Sequence, residues 1–216
     1  MVYKGLENGS LEAANNLGLM YEMGDGVIQD YYKAAQLYAQ ATAKDNPIAH
    51  FNLGRLYYQG TGVNESDELA LQHFKYAFND NPDALYFAGR IYLESEEVAK
   101  DLNKAYELFK AAYKQDHADA TNMLGVMYAQ GLGVNMDRKK AFMLYQVASD
   151  KGSAAGMSNL AQAYMFGFKE LPMDDAKAQE LLQQSCSLGY KEWCQILEHF
   201  DEVKLQYSIL KMNSLY

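Results

Sequence analysis

Apolar and polar residues recur along this chain with two nested rhythms. In the stretch leading into LGVMYAQGLGV at 124–134, Ala120, Leu124, Met127 and Tyr128 stand at i, i+4, i+7 and i+8, one apolar stripe on an α-helix. The stripe stops at Gly131 and Gly133, which predicts a helix end, because glycine takes the left-handed conformation that closes one. Asp137 then offers an N-cap for a second helix, which carries Ala141, Tyr145 and Ala148 on its inner face.

The slower rhythm repeats this helix pair. The tyrosines that close the first stripe are Tyr21, Tyr57, Tyr92, Tyr128 and Tyr164, at steps of 36, 35, 36 and 36. A fixed period in this range marks a stacked repeat. Other columns move in register. Ala13, Ala49, Ala84, Ala120 and Gly156 lie eight residues before each tyrosine, and Gly18, Gly54, Gly89, Gly125 and Ala161 lie three before. After the loop, Asp30, Ser66, Asp101, Asp137 and Asp174 share the predicted N-cap position. Ala34, Ala70, Ala105, Ala141 and Ala178 follow, then Tyr38, Phe74, Phe109, Tyr145 and Leu182, then Ala41, Ala77, Ala112, Ala148 and Ser185. Alternating small and large columns suit close-packed antiparallel helices. The string recurs because each unit needs the same packing face and turn, and no chemistry follows from it.

The pattern A-x3-LG-x2-Y-x2-G-x-GV-x2-D-x2-KA, fullest at residues 120–141, resembles the Sel-one-like repeat family, α-hairpin solenoids related to tetratricopeptide repeats. The resemblance implies an all-α, right-handed α-α superhelical solenoid of about five helix-turn-helix repeats over 10–189. Residues 1–9 then read as the tail of a preceding helix or a lead-in, and 190–216 as C-terminal capping helices, which a solenoid needs over its exposed end. Two turns depart from the pattern. LESEEV at 93–98 has Ser95 and Glu97 in place of the glycine pair, and GFKELP at 167–172 is one residue longer and holds a proline; both are expected to differ in shape. Repeat two has Ser66 and Leu69 where the others have Asp and Lys.

Composition narrows function mainly by exclusion. The 216 residues carry a net charge of −9, which argues against phosphate-backbone binding. No apolar run approaches the roughly 20 residues of a membrane span. Met1–Ser10 lacks the basic-then-apolar order of a signal peptide, which leaves the compartment open. His50, His73, His117 and His199 show no i, i+4 pairing and no cysteine at zinc spacing, and read as surface or boundary residues. The GDGV, GTGV and GLGV turns lack the Lys-Ser/Thr and preceding strand of a phosphate cradle. No G-x-S-x-G or S-x-x-K nucleophile motif occurs, so neither a catalytic residue nor a cofactor is expected.

Cys186 and Cys194 stand in CSLGYKEWC, at the end of one helix and early in the next. Their C-x7-C spacing resembles the bridge of cysteine-rich, secreted bacterial members of the family, which implies a disulfide and a periplasmic or secreted home. The alternative is two reduced, semi-buried thiols in a cytosolic protein.

With the tyrosine column inside, the free face of each first helix is expected at positions −6, −2 and +1 from that tyrosine. Phe51, Arg55 and Tyr58 hold them in repeat two, Tyr86, Arg90 and Leu93 in repeat three, and Asn122, Val126 and Ala129 in repeat four. Repeats one and five supply Asn15, Leu19, Glu22 and Ser158, Gln162, Met165. First helices line the concave groove in the resembled family, and aromatics with arginine are enriched at hot spots. The partner-binding candidates are therefore Phe51, Arg55, Tyr58, Tyr86, Arg90 and Asn122. The expectation is a bacterial, non-catalytic scaffold or adaptor holding a protein or peptide, with no nucleic acid. An immunity or inhibitor protein that neutralises a toxin or enzyme is the alternative, and a β-lactam-binding or hydrolysing enzyme a remote one.

Overall fold

The computed structural model describes residues 10–43, 45–167 and 173–213, so the expectations for 1–9 and for most of the 167–172 turn lie outside the described residues. Among the described residues there are twelve α-helices and no strand, and the fold class is an all-α solenoid. Two compact units divide the chain at Ala112 and Tyr113. In the N-terminal unit, α1 (Leu11–Met23), α3 (Pro47–Gln59) and α5 (Pro82–Glu94) are first helices, each followed by a second helix: α2 (Tyr31–Ala41), α4 (Asp67–Ala77) and α6 (Leu102–Lys114). The C-terminal unit holds the pairs α7 (Ala118–Gln130) with α8 (Arg138–Asp150) and α9 (Ala154–Phe166) with α10 (Asp175–Ser187), then α11 (Lys191–Glu198) and α12 (Phe200–Asn213).

Each hairpin is closed by the same small device. The main-chain carbonyl of the column tyrosine accepts the N–H of the residue that caps the second helix: Asp30 on Tyr21, Ser66 on Tyr57, Asp101 on Tyr92, Asp137 on Tyr128 and Asp174 on Tyr164, at 2.9–3.1 Å. The cap side chain in turn accepts from a helix N–H three residues on, satisfying a donor that the helix leaves open. First helices have a capping column of their own, Ser10, Asn46, Asn81, His117 and Ser153, each accepting from the N–H three residues later. Gly24, Gly60 and Gly131 end first helices in the left-handed region, whereas Ser95 is extended at φ −61°, ψ 143°, so the repeat-three turn differs as expected.

The small column and the large column form one contact. A Cβ added to Gly18, Gly54, Gly89 or Gly125 would come within 2.5–2.9 Å of the ring of Tyr38, Phe74, Phe109 or Tyr145 respectively. Repeat five replaces both partners at once: Ala161 faces the same cluster as Leu182, whose narrower side chain leaves room for a methyl group. The rings and Leu182 are all but inaccessible, at 0–5% exposure. In repeats two, three and four the most deeply buried residue near the end of the first helix is not the column tyrosine but its predecessor: Leu56, Ile91 and Met127 are at most 1% exposed, whereas Tyr57, Tyr92 and Tyr128 are partly exposed. In four repeats the ring instead lies under a lysine of the second helix. Lys33, Lys104, Lys140 and Lys177 place their ammonium groups 5.2, 5.1, 4.1 and 5.3 Å from the centroids of Tyr21, Tyr92, Tyr128 and Tyr164.

Cys186, in the last turn of α10, and Cys194, in α11, are joined by a disulfide across the connecting turn, with Cα atoms 5.0 Å apart. Phe200 is buried beside Leu160 and Leu182, and Trp193, Ile196 and Val203 pack against that cluster.

Candidate protein-interaction surface

The site residues of the N-terminal unit meet around a side chain that the periodicity did not single out. Phe87 lies one position beyond Tyr86 on α5. Its ring centroid is 6.4 Å from Phe51, 5.2 Å from Tyr58 and 5.4 Å from Tyr86. The Arg90 guanidinium lies over the Tyr58 ring at 6.0 Å and donates to Glu94 at 2.6 and 3.1 Å. Burial raises the Tyr58 phenol above its ordinary range. Phe51, Tyr58, Tyr86 and Arg90 therefore form one aromatic and guanidinium cluster.

Arg55 is engaged elsewhere. It pairs with Glu22 of repeat one, whose other carboxylate oxygen accepts the Tyr38 hydroxyl at 2.7 Å. Burial, followed by this hydrogen bond, holds the Tyr38 phenol neutral far above its usual range. Arg55 thus ties two repeats together while a quarter of its side chain stays open to solvent.

The expected free face is narrower than three rows. Asn122, expected on it, is only 4% exposed, and Asn15 and Ser158 in the equivalent position are also buried. The reason is the neighbouring first helix. Within each unit, position −6 of one repeat meets position −5 of the next: Asn15 accepts from Asn52 at 3.1 Å, Phe51 lies against Phe87, and Asn122 accepts from Asn159 at 2.7 Å. Polar pairs with polar and aromatic with aromatic, so this edge is an inter-repeat seam. Ser158 is held differently, against the Ser185 hydroxyl at 2.8 Å, which accounts for serine in a column otherwise filled by alanine. Leu93 and Met165, in the +1 row, are buried as well. Solvent reaches chiefly the −2 row, represented by Leu19, Arg55 and Arg90.

A second cluster was hidden in the sequence. His50 and His73 stand 23 residues apart, yet their Nδ1 atoms are 2.8 Å apart, so one ring donates and the other accepts. His50 stacks on Tyr76 at 4.0 Å and His73 on Tyr57 at 5.7 Å. His50 is buried at 6% exposure, against the surface or boundary position expected for it. Burial, with His50 alongside, pushes His73 down to about 4; burial also lowers His50, against the opposing pull of Asp45 and the Thr42 main chain. Only the i, i+23 pairing across the hairpin could have revealed it.

Two cavities open in the N-terminal unit, the first of them beside the aromatic cluster. One, of about 500 Å³, is bordered by Tyr58 and Arg90 together with Glu65, Asp67, Glu94 and Glu97. The other, of about 640 Å³, is more apolar and is lined by Tyr32, Tyr57, Val63 and Leu69.

The Sel1 repeat family model matches residues 11–46, 47–81, 82–117, 118–153 and 154–190 in succession. The chain belongs to the Sel1 repeat family. Its five Sel1 repeats coincide with the five helix pairs. A protective antigen of uropathogenic Escherichia coli with the same type of repeat fold is 30% identical at a TM-score of 0.77; the match covers 89% of this chain and 41% of that one. An immunity protein of Pseudomonas aeruginosa is 28% identical at a TM-score of 0.52, over 91% of this chain and 72% of the other. A component of an ERAD-associated E3 ubiquitin-protein ligase from Arabidopsis thaliana is 42% identical over 52 residues, which span 24% of this chain and 9% of that protein. The Sel1 fold is one commonly used for protein–protein interaction, and its members are generally non-catalytic scaffolds.

Proposed function

We propose that the protein is a non-catalytic interaction module that holds a protein or peptide partner on the first-helix face of its N-terminal unit. The observation that carries this reading is the cluster of Tyr58, Tyr86 and Arg90 around Phe87. Rings and a guanidinium packed together, partly open to solvent, have the composition of an interface hot spot. Held by their neighbours, they lose little side-chain freedom on binding, so little affinity is spent on ordering them. The disulfide supports a home in an oxidising compartment, periplasmic or extracellular. The same reading makes residues 190–216 the cap of the last repeat, supported by buried Phe200.

The test is the affinity of the cognate partner for Arg90→Ala and Tyr86→Ala, measured beside their melting temperatures. Each substitution is expected to weaken binding by about 1–3 kcal/mol, with only a small change in melting. Full affinity in both variants places the binding surface elsewhere.

A second reading is favoured by one observation, the likeness over 91% of the chain to an immunity protein. In that case the partner is a toxin or enzyme bound in a stoichiometric complex that suppresses its activity. A co-purified partner that is toxic alone and harmless with this protein supports it; a partner whose activity is unchanged removes it.

A further inference from the structure

Repeat two differs from the other four at the point where its loop meets its second helix. Elsewhere a lysine three residues after the capping position lies over the column tyrosine, and in repeats one and three it also pairs with the capping aspartate, Lys33 with Asp30 at 3.5 Å and Lys104 with Asp101 at 3.1 Å. In repeat two the lysine is Leu69 and the cap is Ser66. The carboxylate has nonetheless been kept, supplied from repeat three. Glu97 accepts from the Ser66 hydroxyl at 2.7 Å and from the Asp67 N–H at 2.8 Å. Repeat two therefore retains the anion and the ring of the motif and lacks its cation. Tyr57 stacks on His73 and borders the apolar cavity of about 640 Å³ with Leu69, Tyr32 and Val63. Leu69 is 38% exposed and Tyr32 62%, while Ile28 nearby in the chain is 90% exposed. Ser66 also lines this hollow; Glu65 and Asp67 flank Ser66 in the chain and Glu97 is hydrogen-bonded to it, all three bordering the neighbouring cavity of about 500 Å³ and none fully buried.

We propose that this hollow is a docking site for a basic segment of a protein partner, an arginine or lysine of which takes the place over Tyr57 that the chain's own lysine takes in the other repeats, while a neighbouring apolar side chain of the segment lies on Leu69 and Tyr32. Two features on the molecule specify that chemistry. Four repeats show that this position over the ring accepts an ammonium group, at 4.1–5.3 Å. Glu97, held on Ser66 at the edge of the hollow, with Glu65 and Asp67 next to Ser66 in the chain, complements a cation and disfavours an acidic segment, which sets both steering and specificity. The proposal rests on the interaction-module reading and adds to it a second contact point and the charge of the partner.

The experiment titrates the isotopically labelled full chain with two synthetic peptides, alternating Leu-Arg and alternating Leu-Glu, at about 150 mM salt, where long-range attraction to the net negative charge is largely screened. The Leu-Arg peptide is expected to shift the amide signals of Tyr57, Val63 and Leu69, and the Leu-Glu peptide to leave them in place. Leu69→Lys restores the lysine of the other repeats, so it folds, and it is expected to weaken the Leu-Arg peptide roughly tenfold. Gln179→Lys adds the same charge in repeat five and is expected to bind as the parent does. The inference is overturned if Leu69→Lys binds with unchanged affinity, if Gln179→Lys weakens binding equally, or if no shift occurs at Tyr57 and Leu69. Shifts confined to Tyr58, Tyr86 and Arg90 overturn the docking site while upholding the first-helix face. Failure of that face is read separately, from Arg90→Ala and Tyr86→Ala.

Discussion

Glu97 sits on the N-terminus of helix α4, its two carboxylate oxygens taken up by the Ser66 hydroxyl and the Asp67 N–H. The contact explains two departures from the repeat at once. Glu97 occupies the place of the second loop glycine; in repeat two that glycine, Gly62, lies so close to the main chain of Tyr31 that a Cβ would fall 2.4 Å from it. In repeat three the loop has another shape, and a glutamate enters where that glycine would be. Ser66 replaces the usual aspartate because a second carboxylate there would face the first. Its hydroxyl can donate to Glu97 while accepting from Leu69 N–H.

This pairing predicts a particular sign of coupling. Ser66→Asp, although it restores the commoner cap, is expected to lower the melting temperature, because it brings two carboxylates together. Glu97→Ala alone is expected to lower it by removing the acceptor of the Ser66 hydroxyl and the Asp67 N–H, whose donation holds the Glu97 carboxyl below its ordinary range. The double variant is expected to melt above Ser66→Asp alone. Thermal melts of the four proteins complete the cycle; strict additivity would show that the two positions act independently.

The glycine column predicts a rescue. In Gly125→Ala the new methyl group meets the buried Tyr145 ring at 2.5 Å, which is expected to destabilise by about 1–3 kcal/mol, or roughly 2–4 °C per kcal/mol for a chain of this size. Adding Tyr145→Leu recreates the Ala161 and Leu182 pair of repeat five and is expected to recover part of the loss. A double variant that melts below both singles would refute the size-matching argument.

The histidine pair predicts acid sensitivity. Both rings titrate below their ordinary value, His73 at about 4. Because the folded-state value lies below the unfolded one, the pair's stabilisation is present above about pH 6.5 and is lost as the pH falls towards 4. The double variant His50→Leu/His73→Leu is expected to show a shallower fall in melting temperature across that window than the parent. Equal slopes would mean that carboxylates alone carry the acid response.

Thiol labelling tests the bridge. Cys186 and Cys194 in protein from an oxidising compartment are expected to resist alkylation until reduced, and reduction is expected to lower stability by roughly 2–3 kcal/mol, the effect of opening a short loop. Ready alkylation without reductant in protein from its native compartment would instead indicate a reducing home.

What the sequence by itself determined is the repeated frame of one hairpin. Helix faces, capping residues, the glycine turns and the small-against-large contact each depend on residues within about one period, so their spacing is written into the chain. Gly125 against Tyr145 is such a contact, and so is Asp137 on the Tyr128 carbonyl. What only the tertiary structure decided is how neighbouring hairpins meet. A period of 36 gives no rotation between successive first helices, so it could not say whether position −6 faces solvent or a neighbour. That rotation buried Asn122 against Asn159 and gathered Phe51, Tyr58 and Tyr86 on Phe87. Glu97 and Ser66, separated by 31 residues, likewise gave no local signal. These contacts depend on the angle and register between packed helices, which side-chain shapes across the whole interface set together and no single column reveals.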